Sequence, residues 1–117
     1  MNDERARELV AAERKRIEEG LRRLNADVAA DAELRQQQTG EAHEAGTDLE
    51  REEVDAALVA DLREELKAVA RAEARIAAGT YGRSIESGAV ISDERLAAAP
   101  LAERTVEEQR RFERDSR

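Results

Sequence analysis

TDLEREEVDAALVADLREELKAVARAEARIAAG, residues 47–79, decides the fold. It opens on Thr47-Asp48-Leu49-Glu50, the Thr-x-x-Glu spacing of a capping box, in which each side chain satisfies the other residue's free backbone N–H. Val54, Leu58, Leu62, Leu66, Val69 and Ile76 then recur at steps of three, four or seven, and no Gly or Pro interrupts them before Gly79. Gly79 is the C-terminal glycine of such a helix. The spacing predicts one long amphipathic helix with a narrow apolar stripe and a charged remainder.

Upstream, residues 3–38 hold no Pro and one interior glycine, Gly20, and Leu9, Ile17, Leu21, Leu24, Val28 and Leu34 recur at roughly helical spacing. Asn2 is placed to cap this helix, and Asp3 and Glu4 suit the positive end of its macrodipole. Gln36-Gln37-Gln38-Thr39-Gly40 breaks the pattern, and the polar stretch through Gly46 reads as a turn. Two helices of similar length joined by a short polar turn hide their stripes against each other or against another molecule. The expected fold is mainly α: a long antiparallel coiled-coil hairpin over 1–78 with its tip near 39–47. A plain helical dimer is the alternative that the same stripes allow. The many alanines permit close approach but bury little area, so the hairpin is expected to be of modest stability.

The bulk composition agrees. The chain has 117 residues, 41% charged and 2% aromatic, which leaves little material for a globular core. Its mean hydropathy of −0.78 would suit a disordered chain, but the wealth of Ala, Glu, Arg and Leu marks long helices. A net charge of −8 disfavours direct binding to nucleic acid, because phosphate neutralisation needs a surplus of Lys and Arg on some face. No run approaches 18 apolar residues and the amino terminus is acidic, so neither a membrane span nor a signal segment is expected, and the cytoplasm is the expected location. With no cysteine, there is no disulfide, thiolate ligand or cysteine nucleophile. No triad, phosphate loop or His-Glu-x-x-His motif is present, and His43, the one histidine, is assigned no role. The chain is not expected to be an enzyme.

From Gly79 the texture changes. Gly79-Thr80-Tyr81-Gly82 is turn-like, and Val90-Ile91 resembles a short strand, with Gly88 between two candidate strands. Ser92-Asp93-Glu94 starts a short helical turn that Pro100 stops, and residues 105–114 read as a last helix. A small knob with a short β-hairpin and a C-terminal helix is therefore expected over 79–117. Tyr81 and Phe112 are expected in its core, packed with Ile85, Val90, Ile91, Leu96, Leu101 and Val106.

Gly79-Thr80-Tyr81-Gly82, followed by Gly88, Ile91, Arg95-Leu96, Ala98, Pro100, Ala102 and Gln109, resembles the carboxy-terminal zinc finger of the DksA/TraR family. In that family four cysteines hold one structural zinc. Here the four positions are Ser84, Ser87, Thr105 and Glu108, with two, seventeen and two residues between them, so the frame is kept and the thiolates are gone. Neutral hydroxyls are poor ligands, and no metal or other cofactor is expected. A structural zinc contributes roughly 10–16 kcal/mol of apparent binding free energy, which doubles as folding free energy, so something must compensate. Thr105-Val106-Glu107-Glu108 has capping-box spacing, and such a cap supplies about 1 kcal/mol. Packing, and hydrogen bonds from Ser84 and Ser87, are expected to supply the rest. The bland reading of the four residues is that they are tolerated replacements in a loosened knob.

The resemblance also implies a function. In DksA-like proteins the hairpin enters the secondary channel of RNA polymerase, and acids in an Asp-x-x-Asp-x-Ala pattern at its tip act near the active site. The corresponding residues here are Glu41, Glu44 and Gly46, a partial match with longer acids. Residues 1–78 carry 13 Lys and Arg against 20 Asp and Glu, whereas 79–117 carry 7 against 8, so a basic channel would attract the hairpin first. The resemblance thus implies a monomeric transcription regulator that binds RNA polymerase without contacting DNA, its knob acting as a dock. The alternative is a coiled-coil adaptor that kept the scaffold and lost polymerase control; a self-associating adaptor would be dimeric.

Overall fold

A computed structural model describes residues 1–37 and 45–116, with the side chains of residues 28, 35, 37 and 45–49 outside the description. Its helices, in chain order, are α1 (Asp3–Gln37), α2 (Ala45–Ala78), α3 (Asp93–Ala98) and α4 (Val106–Asp115). Asn2 caps α1 as its position suggests: its Oδ1 accepts the Arg5 N–H at 2.8 Å. α2 starts two residues earlier than its predicted cap at Thr47 and takes Gly46 into its first turn. It ends as expected at Gly79, whose φ of 76° is the left-handed conformation that glycine adopts without steric cost.

The chain forms two units. One comprises Lys15–Lys67. Within it α1 and α2 run antiparallel, with Arg16 paired to Glu65 at 3.5 Å and Asp31 to Arg51 at 3.4 Å. Ile17 is fully buried, while Leu21, Leu24, Leu62 and Leu66 are half-buried. The remainder of the expected stripe is not covered: Leu34, Val54 and Leu58 are 53%, 58% and 45% exposed. The cause is geometric. A step of four residues turns 400°, so the row Val54, Leu58, Leu62, Leu66 winds about 40° further around α2 at each step and leaves a straight seam within two steps.

The other unit comprises Met1–Arg14 and Ala68–Arg117. Its buried apolar residues are Ala6 and Val10 of α1, Val69, Ala72 and Ile76 of α2, and Ile91 and Leu96 of the knob. Val10 is the fully buried residue and its neighbour Leu9, the expected one, is half-buried. Arg14 Nε donates to Glu73 Oε2 at 3.2 Å beside this core.

In the knob the predicted β-hairpin is reduced to one antiparallel bridge, Arg83 with Val90. The strand cannot extend because the chain reverses at once: Ser84 N–H donates to Ala89 O at 2.8 Å, and Gly88 N–H donates back to Ser84 O at 3.0 Å. Val90 and Ile85, expected inside, are 66% and 51% exposed. Ser92 caps α3 by accepting the Arg95 N–H at 3.2 Å, and Leu96 of α3 is buried. Tyr81 is half-buried and donates its hydroxyl to Pro100 O at 2.7 Å. Phe112, by contrast, is 44% exposed and is no core residue. Its ring carries the Arg104 guanidinium 3.9 Å above its centre, a cation–π contact, and Arg104 Nε also pairs with Glu86 at 2.9 Å.

Candidate functional site

The four positions singled out by spacing come together. Ser84 and Glu108 are both 5% exposed, and Glu108 is the buried acid of the knob. Thr105 caps α4: the Thr105 N–H donates to Glu108 Oε1 at 2.9 Å, and the Glu108 N–H donates to Thr105 Oγ1 at 3.3 Å. The predicted capping box is thus complete. The hydroxyls of Ser84 and Ser87 lie on the same carboxylate and favour its charged form. Those hydroxyls are themselves fixed by backbone donors: Ser84 Oγ accepts the N–H groups of Glu86 and Ser87 at 3.1 and 3.3 Å, and Ser87 Oγ accepts that of Ala89 at 3.2 Å.

This wiring tests the implied zinc site, and the residues do not fit it. A cation needs oxygen lone pairs aimed at it. A hydroxyl offers two lone pairs and one hydrogen. Ser84 spends both lone pairs on backbone N–H groups, which leaves only its hydrogen to turn toward the carboxylate. Ser87 and Thr105 likewise turn donors toward Glu108, and one hard carboxylate remains where four soft thiolates would be needed.

The donors hold the Glu108 carboxyl down to about 2, chiefly through the Thr105 N–H, then the Ser87 and Ser84 hydroxyls, against a smaller opposing effect of burial. An unfolded glutamate titrates near 4.3. The folded value is lower, so this stabilisation is present above about pH 4.3 and is lost as pH falls toward 2. A titration of side-chain carboxyl carbons by NMR is expected to separate Glu108, with a midpoint near 2, from the solvent-facing glutamates; a Glu108 midpoint near 4.3 would refute the wiring.

A second cluster anchors the chain just before α4. Glu103 accepts from Arg71 at 2.9 Å and from Arg75 at 3.3 Å. Burial pushes its pKa up, but the Arg71 hydrogen bond and the charges of Arg71, Arg75 and Arg104 outweigh it and leave the carboxyl below its ordinary value. Arg75 is lowered by burial above all, with Glu103 opposing, and its Nη2 is buried without an acceptor. The one sequence signal for this clamp is the spacing of Arg71 and Arg75, one turn apart on α2, which by itself does not mark a site. The Thr105 cap is legible in the sequence, but the approach of Ser84 and Ser87 to the same carboxylate is not.

Of the tip residues, Glu41 and Glu44 lie outside the described residues, and Gly46 is described only as backbone in the first turn of α2. Among the described residues no helix is long and apolar enough to cross a membrane, and no three His, Cys, Asp or Glu residues cluster to hold a metal ion.

No protein-family model matches the sequence, and no curated protein matches it. One solved structure does resemble the chain: transcription factor DksA2 from Pseudomonas aeruginosa, with a TM-score of 0.62 and 23% identity over 92% of this chain and 85% of that one. By that match over nearly its whole length, this chain has a DksA-like fold.

Proposed function

We propose that this chain regulates transcription by binding RNA polymerase, in the secondary channel, through its pair of long helices and without contacting DNA. The observation that carries the reading is the fold shared with transcription factor DksA2 over nearly the whole chain. In this reading 1–78 is the probe and 79–117 the dock, Glu41, Glu44 and the backbone at Gly46 make the tip contact, and the chain acts as a cytoplasmic monomer. Charge favours it: residues 15–67 hold 8 Lys and Arg against 15 Asp and Glu, and so carry −7 of the net −8. A field of that sign is drawn to a basic channel and repelled by DNA, and the attraction weakens with salt.

The test is a pull-down of purified bacterial RNA polymerase by the wild type and by Glu41→Ala/Glu44→Ala, followed by single-round transcription with both. Wild type is expected to bind and change transcript yield, and the double variant to bind with that change lost. If neither protein binds, the scaffold serves another partner and the adaptor reading replaces this one.

A further inference from the structure

We infer that the knob is built around an internal anion: the Glu108 carboxylate fills the centre of the frame, and the groups around it form a carboxylate-binding hole that the chain itself plugs. The evidence is the wiring around that carboxylate. The Thr105 N–H donates to Glu108 at 2.9 Å, Ser84 and Glu108 are buried together, and the N–H groups of Glu86, Ser87 and Ala89 occupy lone pairs of the Ser84 and Ser87 hydroxyls, which leaves the hydroxyl hydrogens for the carboxylate whose charged form they favour. The relation between centre and rim is inverted with respect to a metal site, where an electron-rich rim surrounds a cation. Linked hydrogen bonds of this kind polarise one another, so the loss of the central acceptor affects all of them together. The inference concerns closure of the knob and is independent of any role at RNA polymerase.

Its sharpest consequence is chemical rescue. In Glu108→Ala the donors remain and the acceptor is gone, so a small carboxylate such as formate has the charge and shape to replace it. Amide exchange of Ser87, Ala89 and Ile91 in the full-length protein is expected to accelerate at least about tenfold in the variant. Sodium formate should restore much of that protection, and sodium chloride at equal ionic strength should not. Ser84→Ala/Ser87→Ala keeps the acid and removes two donors, so it should show the same loss with no response to formate, and it serves as the reading if Glu108→Ala does not fold. Wild-type protection should be unchanged by chelator or by added zinc. Unchanged exchange in both variants, equal rescue by chloride and formate, or a chelator-sensitive wild type would each overturn the inference.

Discussion

Leu96→Ala is expected to destabilise the unit that contains the knob by about 2–5 kcal/mol. Leu96 is 1% exposed, and its Cδ1 lies over Gly82, where an added Cβ would stand 3.4 Å from it. Gly82 has no side chain to fill the space that a truncated Leu96 leaves beside it. The substitution therefore loses both the transfer free energy of the leucine and the cavity term. Urea unfolding followed by amide exchange reads the effect at Ile91, whose N–H donates to Gly82 O at 2.8 Å across the same corner. Ile85→Ala, at a half-exposed position, is the control and should change stability by less than about 1 kcal/mol. Equal effects for the two substitutions would refute this account of the core.

Glu103→Ala is expected to destabilise the same unit by about 2–3 kcal/mol, the range for a hydrogen bond to a charged group when one partner is left unpaired. The side chains of Glu103 and Arg75 are 17% and 12% exposed, so water compensates little of the loss at Arg75, which already has one buried nitrogen without an acceptor. Arg71 is half-exposed and contributes at most about 1 kcal/mol, the part that salt should screen. Thermal and urea unfolding at low and high salt separate the two contributions. Arg71→Ala is expected to act weakly and mainly at low salt, and Glu103→Ala strongly at both. A Glu103→Ala loss that disappears in high salt would show the clamp to be a surface pair only.

Both substitutions act at places the sequence marks unevenly. Three of the helix starts are legible because caps depend on neighbours in the chain: Asn2, Ser92 and Thr105 each accept the N–H of the residue three positions on, whereas α2 begins ahead of Thr47. The frame of the knob was legible because spacing survives the loss of the cysteines. What failed depends on the third dimension. The apolar row of α2 was right as a helix signal and wrong as a list of buried residues, since Val54 and Leu58 wind away from the seam. Phe112 looked like core because aromatic residues usually are, yet it lies under Arg104 at the surface. Ser84, Ser87 and Glu108 could be aligned from sequence, but the direction of their hydrogen bonds follows from where seventeen intervening residues bring Thr105, which no local pattern records.

That same segment of seventeen residues, with α3 inside it, has a kinetic side. A fold completed by a captured ion waits on an encounter, and its occupied fraction varies with the free ion in its surroundings. When the stopper and the rim belong to one chain, closure is unimolecular, and the local concentration of the stopper is set by the tether at the millimolar scale of a short linker. Dilution does not empty such a site and scavengers do not compete for it. A domain closed in this way needs no second solute to complete it.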